Sequence, residues 1–409
     1  MRALVPTAVL AASILTACGG GDSTGTSGAP AFMSKVGSDP AYVIAGASFS
    51  DSIRVNVTDR TNKPASGATV SFDVLVGGGS VTPTTVITDA NGNAAAKFIT
   101  GTAPGINTVL ASVSGVTDVA FSITTITAGT IVWSSIVTDT LRGVWGTSAS
   151  DVWAVGYHGA LKHYDGTSWT NFTSGTTEPL VAVWGTSPTN VWIVGGFRGK
   201  ILHYNGASWS SVFEHGQTGI LFGVWGGSPS DLWVVGNIDS VFHYNGSTWS
   251  NAAVITPTIF GMWGNTASDI WAVGYSPAPP SPVGTIFHYD GATWSGVYPG
   301  TTQGLSGVWG TSASDVWATG AGGVIVHYDG TRWSSVTSPP SQGLVSVWAA
   351  SASDAWAVGY GGAIVHYNGT SWSNVTSGTT QDLFGVWGSS GSDIWAVGTG
   401  GLLHGVAAR

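Results

Sequence analysis

Tryptophan recurs at three fixed registers of a unit about 40 residues long, and no other feature of the chain limits its fold so tightly. The first register holds Trp145, Trp184, Trp225, Trp263, Trp309, Trp348 and Trp387. The second holds Trp153, Trp192, Trp233, Trp271, Trp317, Trp356 and Trp395. The third holds Trp169, Trp209, Trp249, Trp294, Trp333 and Trp372, and Trp133 supplies its missing seventh member. Each unit contains four strand-length runs, in the first case 141–146, 151–156, 160–164 and 169–173. Four strands per unit, seven times over, predict a seven-bladed β-propeller over 130–409. The last unit stops before its fourth strand, while an orphan fourth strand at 131–136 precedes the first. Pairing those two would close the ring and remove the strand edges that invite aggregation.

The rest of the chain also reads as β. Charged residues make up 8% of the sequence, Gly numbers 61, and the only Glu are Glu178 and Glu214. Good helix formers are therefore scarce, and no helical period stands out. Short alternating runs between 36 and 126 predict an Ig-like β-sandwich ahead of the propeller, so the fold class is all-β. The wording VNVTDRTNKPASGATVSFDV, followed by TDANGNAAAKFITGTAPGINTVLASVSG, resembles the bacterial Ig-like group 1 (Big-1) domain of the invasin and intimin family. That resemblance implies a rigid spacer. Its Asp51, Asp59, Asp73 and Asp89 sit at turns or strand ends; Asp89 is expected to cap a turn with Gly92, and calcium is the alternative. The propeller unit is similar in spirit to WD40, Kelch and tectonin-type repeats but lacks the full signature of each.

The first 18 residues have Arg2, a short apolar run and Leu15-Thr16-Ala17-Cys18-Gly19. This resembles a bacterial lipobox, in which Cys18 becomes the lipidated first residue of a lipoprotein. Gly19 rather than Asp after it favours outer-membrane sorting. Residues 19–35 are rich in Gly, Ser and Thr and read as a flexible tether. The net charge of −9 comes without any basic cluster, which argues against a nucleic-acid partner.

Seven His recur at 163, 203, 243, 288, 327, 366 and 404. One per blade is too dispersed for a metal site. Each is instead expected to hydrogen-bond the acidic turn residue of its own blade: Asp151, Asp231, Asp269, Asp315, Asp354 or Asp393, with Asn190 in the second. The repeated Trp read as wedges between blades, and the Asp-Gly and Asn-Gly pairs as hairpin turns. Neither a metal nor a cofactor is expected.

Function should lie where the blades differ. The second-to-third turns and the loops between blades vary, and both emerge on one face. That face carries the candidate ligand-binding residues Tyr157, His158, Phe197, Arg198, Asp239, Tyr275, Tyr360, Glu178, Glu214 and His215. Asp382 and the Pro-rich insertion 276–284 join them. Aromatics beside a few charges suit a carbohydrate or a peptide. No catalytic residue is assigned, because the non-repeating acids lie on different blades and Arg is too sparse for a sialidase-like site. The expectation is a cell-envelope lipoprotein, membrane-held through its lipid anchor, whose partner is a cell-surface glycan or an envelope or host protein. A polysaccharide-acting enzyme and a structural envelope scaffold are the alternatives.

Overall fold

The computed structural model describes residues 28–37, 43–47, 52–216, 219–237, 241–255, 257–276, 283–339 and 341–407. Cys18, most of the tether, Asp51, Asp239 and residues 277–282 of the Pro-rich insertion lie outside them. The chain divides into two compact units, one up to Ala128 and one from Gly129 onward.

The first unit holds two sheets. One runs in the order Phe32–Lys35, Ile53–Thr58, Asn93–Thr100, Gly79–Thr82. The other runs Val43–Ile44, Val119–Ile126, Gly105–Ser112, Thr69–Val76, Thr85–Ile87. Alternate residues of both point into one core containing Val55, Val57, Phe72, Phe98, Val109 and Ile123. Asp89 Oδ1 accepts the backbone N–H groups of Asn91 and Asn93 at 2.8 and 2.9 Å. Gly92 completes that turn at φ 76°, and a Cβ there would meet the Val57 carbonyl oxygen at 2.3 Å.

The second unit is a β-propeller. Its described residues form seven antiparallel four-stranded sheets. Blade 1 consists of Leu141–Ser148, Asp151–Gly156, Leu161–Tyr164 and Trp169–Asn171, from the axis outward. Blades 2 to 6 repeat that order, with inner strands at Leu180–Ser187, Leu221–Ser228, Thr258–Thr266, Leu305–Ser312 and Leu344–Ser351. Blade 7 takes Leu383–Ser390, Asp393–Gly398 and Gly401–Ala407 from the end of the chain and Ile131–Val137 from its near side. Trp133 lies opposite Gly405 in that last pairing. Each inner strand touches the next, and the seventh touches the first, so the ring is closed.

Two sets of Trp hold neighbouring blades together. The first-register Trp of one blade packs on a small residue of the next. A Cβ at Gly185 would lie 2.7 Å from Trp145, and one at Gly226 would lie 2.8 Å from Trp184. Blade 6 has Ala349 in that place, and Trp309 Nε1 donates to its carbonyl at 3.3 Å. The second-register Trp stacks on the His of its own blade and meets the third-register Trp of the next edge-on. Trp153 lies 4.2 Å from His163 and 5.3 Å from Trp209 between ring centroids. Trp395 meets Trp169 across the last seam at 5.5 Å, and Trp356 meets Trp133 at 6.1 Å. Such rings bury large apolar area and add about 0.5–1.5 kcal/mol per aromatic pair.

The seven His take the expected partners. Nε2 lies 2.6 Å from Asp151 in blade 1, 2.6 Å from Asn190 in blade 2 and 2.5 Å from Asp393 in blade 7, with the other four between 2.6 and 2.8 Å. In blades 1, 5 and 7 a hydroxyl four residues earlier, on Thr147, Thr311 or Ser389, also donates to the carboxylate.

Candidate functional site

Inner-strand residues turn alternately toward the axis, and the repeat L-x-G-V-W therefore sets rings around a central channel. The variable x position forms the ring nearest the variable loops: Arg142, Val181, Phe222, Phe260, Ser306, Val345 and Phe384. Beneath it lies a second ring of Val144, Val183, Val224, Met262, Val308, Val347 and Val386. The enclosed cavity has a volume of about 320 Å³. Most of its lining side chains are apolar, with Arg142, Ser306, Ser346 and Tyr360 adding polar groups.

Arg142 is the chemical exception. Its guanidinium lies 4.5 Å from the Phe384 ring centroid and 5.7 Å from that of Tyr157. Both distances suit cation–π attraction. Among the described residues no carboxylate lies within ion-pair distance of it. Tyr360 reaches the same mouth from blade 6. Tyr157 and Tyr360 remain 41% and 46% exposed, which is unusual for large aromatics in a fold that buries most of its Trp. Phe222 and Phe260 meet at a tilt of 52°, with ring centroids 5.2 Å apart, on the opposite arc.

The other sequence-predicted residues divide into three groups. Tyr157 and His158 open the turn Tyr157–Gly159 of blade 1, and Tyr360 opens the matching turn Tyr360–Gly362 of blade 6. A second group is occupied with holding loops. Glu178 accepts the Phe197 N–H at 3.0 Å, and Asp382 accepts the Gly361 N–H at 2.8 Å. Glu214 ends the outer strand of blade 2 and pairs with Lys200 at 3.3 Å. His215 packs against Phe242 of blade 3 at 5.1 Å. Phe197, 57% exposed, and Arg198 sit in the blade 2 turn but do not line the channel.

Tyr275 departs from its expected place. It lies in a strand, not a turn, paired with Thr258 and Gly284. The Pro-rich insertion lengthens the second and third strands of blade 4 to Asp269–Ser276 and Val283–Tyr289, which absorbs Tyr275 into the ladder. It packs over Gly304, whose Cβ would meet its ring at 3.0 Å.

Sequence reasoning missed Arg142, Phe222, Phe260 and Phe384. The available signal was that x varies from blade to blade, but the sequence did not show that this position faces the channel. Among the described residues, no three His, Cys, Asp or Glu gather as a metal site would require.

Comparison with known proteins agrees with the fold. No family model matches the chain. A search of curated proteins also found no match. Solved structures do match. YCF48 bound to D1 peptide aligns with a TM-score of 0.54 at 17% identity, covering 68% of this chain and 97% of that one. A streptogramin B lyase gives 0.59 at 13% identity, covering 68% and 98%. The WD40 β-propeller domain of Doa1 gives 0.55 at 10%, covering 69% and 97%. At these identities the likeness is one of fold.

Proposed function

We propose that this chain is a displayed binding protein: a lipid-anchored envelope protein whose propeller captures a glycan or a protein on its variable face. One observation carries the reading. Exposed Tyr157 and Tyr360 gather with Arg142, a cation without a carboxylate partner among the described residues, at the channel mouth on the face where the blades differ. Aromatic faces and a free guanidinium are typical anchors of recognition sites.

The lipobox-like Cys18 supports an anchor, and the Big-1 resemblance supports an Ig-like spacer between anchor and head. The closing strand starts at Ile131, opposite Ala407, and ends near Gly401, where the variable turns begin. The chain therefore joins the propeller at the uniform face, leaving the variable face at the far end of the blades. Glu178, Glu214 and Asp382 are engaged in loop contacts and an ion pair, which favours binding over catalysis. A bound D1 peptide in YCF48 keeps a peptide ligand alongside a glycan.

The test is a glycan array and an envelope-extract pull-down with the whole chain, run beside an Arg142→Ala/Tyr157→Ala/Tyr360→Ala variant. Capture by the wild type that the variant loses is expected. Finding no ligand of either kind would reject the reading.

A further inference from the structure

Blade 1 breaks the repeat at two further places, and both border one cavity. The first is Lys162. Its position in the third strand is Leu202, Phe242, Phe287, Val326, Val365 and Leu403 in the other blades, as the strand registers align them. Lys162 is 7% exposed. A buried ammonium in an apolar slot costs stability, and apolar residues of similar size commonly replace such ion pairs at no loss. The second is His158, which holds φ 55° where the matching turns of blades 5 and 6 use Gly322 and Gly361 at 65° and 66°. A non-Gly residue in that region is strained, and such strain concentrates at functional sites.

The cavity between them has a volume of about 400 Å³ and is lined by Asp139, Tyr157, His158, Lys162, Asn171 and Phe172. Lys162 Nζ lies 2.5 Å from Asp139 Oδ2 and 2.6 Å from Asn171 Oδ1. An ammonium has three protons, so one donor is left over among the described residues. Asp139 is exposed and keeps acceptor capacity. An anionic ligand would meet the Asp139 carboxylate, and a cationic one would meet Lys162. A neutral polyhydroxyl ligand satisfies both, while the rings of Tyr157 and Phe172 offer it apolar faces.

We propose that this blade 1 cavity binds a neutral saccharide unit, hydrogen-bonded by Lys162, Asp139 and Asn171 and stacked on Tyr157. This rests on the display reading above and narrows its ligand class. Tyr157 also contacts Arg142, so the cavity adjoins the channel mouth and a longer glycan could span both.

The test uses the full chain on an array of neutral and acidic glycans, with Lys162→Leu, Asp139→Asn and Tyr157→Ala variants. Lys162→Leu installs the residue that blades 2 and 7 already carry, so it should melt no lower than the wild type. Neutral-glycan binding should nevertheless fall about tenfold or more, the size of a lost charged hydrogen bond. Parallel losses in the other two variants are expected. Neutral-glycan binding that Lys162→Leu leaves intact overturns this site but not the display reading. So does selective binding of acidic glycans, or capture of an envelope protein with no glycan bound. No partner of any kind overturns both.

Discussion

At the scale of single residues, the His–carboxylate pairs show what the repeat conserves chemically and where it relaxes. Burial pushes the Asp151, Asp315 and Asp393 carboxyls up, but hydrogen bonds from His and from Thr or Ser outweigh it and hold all three below the usual carboxylate range. A depressed folded pKa adds stability that is fully present above the unfolded value near 3.8 and fades as pH falls through the folded one. Asp393→Asn should therefore be about 1 kcal/mol less stable than the wild type at pH 7. The gap should narrow as pH falls below 3.8, as read by denaturant unfolding at pH 7 and pH 3; a gap as wide at pH 3 as at pH 7 would contradict the account. Blade 2 is the natural exception. Burial pushes His203 below its ordinary 6.5, and its partner Asn190 is neutral. His203 thus stabilises the fold above 6.5 and loses that contribution as pH drops. Asn190→Asp should raise the His203 pKa above that of the wild type, as followed by NMR of its ring protons. An unmoved titration would count against direct pairing.

At the scale of elements, the contact between an inner-strand Trp and the next blade's Gly is a steric rule. Cβ atoms at Gly185, Gly226, Gly264, Gly310 and Gly388 would all come within 2.8 Å of the preceding blade's Trp ring. Ala349 shows that one methyl can be accommodated at this position, where Trp309 donates to the Ala349 carbonyl. A branched side chain cannot. Gly226→Val should cost about 1–3 kcal/mol by overpacking, while Ala349→Gly should stay within about 1 kcal/mol of the wild type. Urea unfolding of the two variants separates them. The blade count, the His partners and the uniform turns were legible in the sequence because each is repeated, and repetition exposes a structural role. Arg142 and Lys162 were not, because each occurs once. Their meaning depends on which way a strand residue faces, and only the assembled ring sets the x position toward the channel and the Lys162 position into a core slot. Tyr275 was misplaced for a related reason: turn length was inferred from blades without an insertion.

At the scale of the whole molecule, closure joins the two ends of the propeller in one sheet. Ile131–Val137 supplies the outer strand of blade 7, and Trp133 gives Trp356 the edge contact that Trp169 gives Trp395. Gly405 stands where other blades have Tyr after the His. Any Cβ there would lie 2.8 Å from Ile131 and 2.9 Å from Trp133, so the missing Tyr makes room for the returning strand. A propeller closed this way should unfold as one ring, since opening the last seam also exposes an unpaired strand. Trp133→Ala removes the seam's largest side chain and should cost about 3 kcal/mol, lowering the propeller's calorimetric transition by roughly 5–10 °C. Gly405→Tyr, which restores the repeat's wording, should be the more damaging change because it collides with the strand that closes the ring. If Gly405→Tyr proved harmless while Trp133→Ala did not, Trp133 would matter for its own packing and not for seating that strand.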